Sequence, residues 1–109
     1  MLEFSHMILY INSTNHETVT FTLSGGDTVI TKTYIIGSHS GHKIVKKLDE
    51  FLKSKIKDKK FKITKLVVNT GPGSFVGTRV GVTIAEALSM VWKVPVQYLE
   101  NEKFSKEKI

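Results

Sequence analysis

Of all segments in the sequence, the glycine-rich stretch GPGSFVGTRVG at residues 71–81 most resembles a ligand-binding site in its residue types and spacing. It lies between an apolar run and a long apolar periodic segment, which predicts a turn from a strand into a helix. N–H groups at the start of a helix attract anions, so Gly73 and Ser74 are candidates for a weak anion-binding site. The segment matches neither nucleotide-binding glycine motif, because no lysine follows a glycine as in a P-loop and the last glycine of the dinucleotide motif comes one residue late. The alternative is a tight turn that serves packing alone.

Residues that could support catalysis or bind a metal are sparse. A two-metal nuclease needs carboxylates at the ends of its central strands, where this sequence has the amides Asn12 and Asn69. His39 and His42 are spaced to share the start of a helix, but no third ligand is apparent, which favours a surface or capping role. Ser74 lacks the G-x-S-x-G pattern of a hydrolase nucleophile and is better explained as a helix N-cap. We therefore predict no catalytic residue and no metal site.

A stripe of small residues runs along one side of the helix predicted after this turn. Glycine inside a helix costs about 1 kcal/mol relative to alanine, so its presence there requires a compensating interaction. Close packing of a second helix is the candidate, as in small-xxx-small helix pairs. The stripe consists of Gly73, Gly77, Gly81, Ala85 and Ser89.

The elements that must position these residues follow from hydrophobic periodicity and turn signals. Three strands are predicted first, at 7–11, 17–23 and 28–36, with a hairpin turn at SGGD between the last two. A helix over 41–54 with Ser40 as its N-cap, a buried strand over 63–69, the second helix to Trp92 and a strand over 94–99 complete the pattern. The order βββαβαβ predicts an α/β fold, a single actin-like or ribonuclease-H-like lobe with a mixed sheet and two helices.

Length and composition limit the function classes. The 109 residues suit one domain, which we place at 7–99, with residues 1–6 expected to be a cloning remnant and residues 100–109 a polar tail. The absence of cysteine excludes disulfides, a thiol nucleophile and a cysteine-ligated zinc site. No run of residues suits a membrane span or a signal peptide, so we expect a cytoplasmic protein without a membrane partner.

The positive charge is concentrated in one part of the sequence. The formal net charge is +6, and 10 of the 15 lysines fall between Lys43 and Lys65. The lysine-rich segment 53–65 could contact RNA phosphates, but it has one aromatic residue and no arginine, which favours a solvated loop.

Residues 66–96, LVVNTGPGSFVGTRVGVTIAEALSMVWKVPV, are similar to the GPGSFTGLRIG signature of the bacterial TsaB (YeaZ) family. MILYINST at 7–14 resembles the opening strand and turn of that family, and HSGHKIVKKLDEFL at 39–52 resembles its first helix. The order and spacing of elements agree from residue 7 to about residue 99. Family members usually have about twice this length, with a second lobe.

The resemblance implies a non-catalytic subunit of a tRNA-modifying complex. Members of the family partner TsaD, a related two-lobed protein, in forming threonylcarbamoyladenosine at position 37 of tRNAs that read codons beginning with A, and a TsaE-type ATPase joins them in bacteria. The resemblance therefore implies indirect contact with tRNA, no cofactor bound by this chain alone, and ATP or ADP only in the assembled complex. The two helices of the lobe pack against their counterparts in TsaD, or in a second copy as a homodimer. Carried over here, that surface is Ile44, Leu48, Phe51, Gly77, Val80, Gly81, Ile84 and Leu88.

Three hypotheses follow for the function. The first is a binding subunit that docks through its two helices on a TsaD-like protein. The second is an RNA-binding module that uses segment 53–65 and binds tRNA with a steep salt dependence. The third, an enzyme acting on a nucleotide or peptide, is disfavoured by the missing carboxylates and the missing second lobe.

Overall fold

A five-stranded mixed sheet forms the centre of the molecule in the computed structural model, which describes residues 5–37, 41–56 and 61–107. The elements along the chain are β1 (Ser5–Asn12), β2 (Thr18–Gly25), β3 (Thr28–Ile35), α1 (Gly41–Ile56), β4 (Phe61–Asn69), α2 (Phe75–Trp92), β5 (Val96–Leu99) and α3 (Asn101–Glu107).

The order of strands across the sheet is β3-β2-β1-β4-β5. The first three strands form an antiparallel meander, and β4 and β5 are parallel to β1. Parallel neighbours require crossovers, and α1 and α2 lie within the two crossover connections. The predicted α/β lobe with a mixed sheet is therefore confirmed.

Alternation along β1 and β4 separates two hydrophobic clusters on opposite faces of the sheet. Leu9, Ile11, Leu66 and Val68 belong to the main core beneath α1 and α2. The smaller cluster lies on the other face, where Phe104 of α3 packs on Tyr10 and Val67. The rings of Tyr10 and Phe104 meet edge to face, with centroids 6.0 Å apart.

The end of the chain differs from the sequence prediction. Residues 100–109 were expected to be a polar tail, but Asn101–Glu107 forms α3, and Phe104 is 1% exposed beneath it. Burial of Phe104 contributes about 2 kcal/mol to holding this short helix on the sheet, and Asn101 adds hydrogen bonds to the Gly71 and Pro72 carbonyl oxygens.

The start of β1 differs as well. It begins at Ser5, which pairs with Phe61, and His6 pairs with Lys62. Residues 5 and 6, which the sequence prediction places outside the lobe, are therefore part of the sheet. His39 and Ser40 fall outside the described residues, as do residues 57–60 of the lysine-rich segment.

Candidate functional site

Two asparagines lie where β1 and β4 end side by side, at the edge of the sheet where a nuclease would carry carboxylates. Asn69 Nδ2 donates to Asn12 Oδ1 at 3.3 Å. The same oxygen accepts from the Thr14 N–H at 3.2 Å and from Thr14 Oγ1 at 2.8 Å. Asn69 Oδ1 in turn accepts from the Gly71 N–H at 2.8 Å. These amides fix the two loops that leave the strands, and their oxygens are engaged within the chain.

The glycine-rich turn packs against the loop after β1. The Ser74 N–H donates to the Thr14 carbonyl oxygen at 2.6 Å. A Cβ atom at Gly73 would lie 2.5 Å from that same oxygen, so only glycine fits there. Ser74 Oγ accepts from the Gly77 N–H at 3.1 Å, which confirms the predicted N-cap of α2. Anion binding at Gly73 and Ser74 stays a prediction, with the Ser74 N–H already occupied.

The small-residue stripe of α2 faces its own sheet and not a second helix. Gly77, Gly81 and Ala85 are the buried residues of α2. A Cβ atom at Gly77 would lie 2.5 Å from the Ser13 carbonyl oxygen, and one at Gly81 would overlap Ser13 Oγ. Ser13 is fully buried and donates through Oγ to the Gly77 carbonyl oxygen at 2.7 Å. The predicted packing of a second helix on the stripe is therefore wrong at Gly77 and Gly81, because both positions accommodate the turn after β1.

The surface that α1 and α2 leave open is an apolar groove between them, with a cavity volume of about 450 Å³. Its floor includes Leu48, which is 4% exposed. Among the described residues that line it, Asp49 is the one with a charged side chain. We call this surface the helix-pair groove, and its lining residues are Val45, Leu48, Asp49, Leu52, Thr83, Ile84, Ala87, Leu88 and Trp92.

Only part of the predicted pairing surface lies in the helix-pair groove. Leu48, Ile84 and Leu88 line it, and Val80 is partly buried beside them. Ile44 and Phe51 are 1% and 0% exposed in the core, and Gly77 and Gly81 are buried against Ser13. These four predicted residues therefore do not line the groove.

Sequence reasoning missed six groove residues. The predicted surface, which the resemblance implies, includes positions that the sheet buries, such as Ile44 and Phe51. Neighbouring positions around each helix form the outer walls of the groove instead. The missed residues are Val45, Asp49, Leu52, Thr83, Ala87 and Trp92.

Outside the groove, α2 carries further exposed apolar side chains. Val76, Val91 and Met90 are 46%, 73% and 80% exposed. The two charged residues of α2 have partners within the chain: the Arg79 guanidinium lies 5.1 Å from the centroid of the Phe75 ring, and Glu86 accepts a 2.9 Å hydrogen bond from the Tyr98 hydroxyl. Exposed apolar side chains beside an apolar groove are typical of protein interaction sites.

Two tyrosines have perturbed ionisation. The hydrogen bond to Glu86 is the main cause that raises the pKa of Tyr98 above 10.0, and desolvation and the Glu86 charge add to it. Burial raises the pKa of Tyr34, with a further contribution from the charge of Glu50. Both shifts follow from surroundings that disfavour the phenolate.

The described residues form neither a metal-binding cluster nor a membrane-spanning helix. Across residues 5–37, 41–56 and 61–107, no three His, Cys, Asp or Glu side chains come together as a metal site would need. Within the same ranges, no helix combines the length and hydropathy required to cross a membrane.

Comparisons with known proteins agree with the fold. The sequence matches, over residues 34–101, the family model described as TsaD, tRNA N6-adenosine threonylcarbamoyltransferase. No functionally curated protein matches the sequence at a significant level.

Solved structures with similar folds include YeaZ from Pseudomonas aeruginosa, with a TM-score of 0.74 and 14% sequence identity, covering 88% of this chain and 44% of that one. Another is described as an uncharacterized protein with similarity to peptidase YEAZ from Pseudomonas aeruginosa, with a TM-score of 0.73 and the same identity and coverage. This chain thus spans 44% of the length of those structures. The resemblance to YeaZ that the sequence motifs indicate is confirmed.

Proposed function

Because this chain belongs to the TsaD family of tRNA N6-adenosine threonylcarbamoyltransferases, we propose that it is a non-catalytic subunit that docks on a TsaD-like protein through the helix-pair groove. In that role it supports formation of threonylcarbamoyladenosine at position 37 of tRNAs that read codons beginning with A. We further propose that it acts in the cytoplasm, that a TsaE-like ATPase belongs to the same assembly, and that ATP or ADP binds only there. The alternative is a homodimer of this chain that forms through the same groove.

The single observation that carries this proposal is the open apolar groove on the helix pair. A groove of about 450 Å³ whose described lining includes one charged residue, Asp49, is unfavourable to leave in water. Its lining comes from two helices, which suits the packing of a helical ridge from a related lobe.

The strand ends support a non-catalytic role. In an acid–base or metal-dependent reaction, carboxylates at this edge would bind the metal or move a proton. Asn12 and Asn69 carry no negative charge and no carboxyl group to exchange a proton, and the oxygens of both side chains accept hydrogen bonds from the chain itself. The chemistry of the complex is therefore assigned to the partner.

The test is to mix the chain with the TsaD-like protein of the same organism and measure the mass of the complex by light scattering after size exclusion. Ala87→Arg places a long charged side chain on the exposed wall of the groove, where it would obstruct an apolar partner surface and be costly to bury. We expect the variant to weaken the heteromer at least ten-fold. Thr28→Arg is the matched control, because it adds the same charge at an exposed position at the start of β3.

A heteromer that Ala87→Arg removes and Thr28→Arg keeps would support the docking role. Absence of any heteromer at micromolar concentration would overturn it, as would a heteromer that both variants retain. A mass of twice the chain in the absence of the partner, lost with Ala87→Arg, would assign the groove to the homodimer instead.

A further inference from the structure

Two lysine side chains lie beside Tyr34, on the side of α1 that faces β3 and not on the side that faces α2. The Lys32 ammonium nitrogen lies 5.8 Å from the centroid of the Tyr34 ring, and the Lys47 nitrogen lies 5.5 Å from it. Lys32 and Tyr34 are two residues apart on β3 and therefore share one face, the face that carries α1. We call Lys32, Tyr34 and Lys47 the tyrosine cluster.

The tyrosine cluster is not used by the proposed docking role. It lies at β3, the edge strand of the sheet, whereas the helix-pair groove opens between α1 and α2. A partner seated in the groove would therefore leave the β3 side of α1 in contact with solvent.

The interactions that Lys32 and Lys47 make within the chain are weak. Lys47 Nζ lies 3.4 Å from Glu50 Oε2, an exposed pair of a kind that contributes little. Contacts of exposed ammonium groups with an aromatic ring are similarly modest. Lys43 lies one helical turn before Lys47, on the same side of α1, and is exposed. The acidic group facing the cluster is Glu50, so positive charge remains in excess.

We propose that the tyrosine cluster is a direct contact site for RNA. The Tyr34 ring packs on Phe21 in the core, with centroids 6.1 Å apart, and the two ammonium groups lie over the ring. On RNA binding, Lys32 and Lys47 move to phosphates, and the ring face turned away from Phe21 stacks on a base. An aromatic side chain flanked by lysines matches the chemistry of single-stranded nucleic-acid sites, which combine backbone charge with stacking. An acidic protein segment would supply the charge but no base to stack on the ring. The site differs from the lysine-rich segment 53–65, since it is built from β3 and the first half of α1.

This inference concerns the same tRNA that the proposed function invokes, but it does not require the docking partner. It is tested on the chain alone, by fluorescence anisotropy with a labelled tRNA transcript at 50 and 200 mM salt. We expect Lys32→Glu/Lys47→Glu to weaken binding at least ten-fold at the lower salt and to reduce the slope of log affinity against log salt by about 2.

Lys103→Glu/Lys106→Glu is the matched control. It makes the same change in net charge on α3, and Lys106 pairs with Glu102 much as Lys47 pairs with Glu50. We expect the control to weaken tRNA binding less than three-fold. Tyr34→Leu should weaken binding about five-fold without changing the salt slope, and Tyr34→Phe, which keeps the ring, should bind like the unchanged chain.

Three results would overturn the RNA site: no tRNA binding at 50 mM salt, equal losses in the two double variants, or equal competition by polyglutamate and by unlabelled tRNA. The last result would assign the cluster to an acidic protein. Binding of tRNA through the cluster together with failure to form the heteromer would reject the proposed function and leave this site standing.

Discussion

The orientation of the small-residue stripe yields a quantitative prediction for Gly81→Ala. If the stripe faced solvent or a missing partner, alanine would stabilise α2 by about 1 kcal/mol, because glycine is the poorer helix former. In the structure, the added methyl group overlaps Ser13 Oγ, which is fully buried. The two orientations therefore predict opposite signs for one substitution.

The size of the loss follows from what Ser13 must give up. Moving its hydroxyl breaks the 2.7 Å hydrogen bond to the Gly77 carbonyl oxygen and leaves a buried donor unpaired, at a cost of about 1–3 kcal/mol. Overpacking adds about 1–3 kcal/mol. After subtracting the helix-propensity gain of about 1 kcal/mol, we expect the free energy of unfolding to fall by about 1–5 kcal/mol.

The assay is urea unfolding followed by the fluorescence of Trp92, the single tryptophan. Thr83→Ala on the outer wall of the helix-pair groove is the control, and it should leave stability unchanged or slightly increased. Ser13→Ala should relieve the overlap, because the Ser13 Cβ lies 3.3 Å from the added methyl group. The double variant should therefore be more stable than the sum of the single effects predicts, by at least about 1 kcal/mol.

A neutral or stabilising Gly81→Ala would refute the packing of the stripe on Ser13. Strict additivity of Ser13→Ala and Gly81→Ala would refute the specific contact even if the single variant were destabilised.

Three further predictions concern other parts of the fold. Ser74→Ala removes the N-cap of α2 and should lower the free energy of unfolding by about 1 kcal/mol in the same urea experiment; no change would mean that the cap bond is not formed. Phe104→Ala empties the site beneath α3 and should cost about 3 kcal/mol, with loss of amide-exchange protection in α3; unchanged protection would show that Phe104 does not anchor the helix. Glu86→Gln should lower the pKa of Tyr98 towards 10.0, seen in the ultraviolet titration of the phenolate and absent in Tyr98→Phe; an identical titration would exclude the hydrogen bond. Because the folded pKa is raised, the stability from this contact is present below pH 10.0 and is lost as the pH rises through the folded value.

The elements with strong periodicity were predictable from the sequence, and the weakly patterned ones were not. The order of elements along the chain and the N-cap at Ser74 follow from alternation, turn signals and capping chemistry. α3 has one apolar anchor, Phe104, in a polar segment, so no periodic signal distinguishes it from a tail.

The candidate groove was predictable at the level of the helix pair and of Leu48, Ile84 and Leu88, but its outer walls were not. Periodicity shows which side of a helix is most apolar, and in this fold the sheet covers that side. The direction of the glycine stripe depends on Ser13, which is 64 residues away from Gly77 along the chain, and no local pattern contains that contact. The groove walls at Val45 and Ala87 become identifiable only once the stripe has been placed against the sheet.

The most direct test of the docking role is the amount of threonylcarbamoyladenosine formed on a tRNA transcript by the TsaD-like protein of the same organism, supplied with threonylcarbamoyl adenylate. We predict that formation requires the added chain, is lost with Ala87→Arg and is kept with Thr28→Arg. Formation that is equally rapid without the chain, or that the chain catalyses without the TsaD-like protein, would contradict a non-catalytic docking subunit.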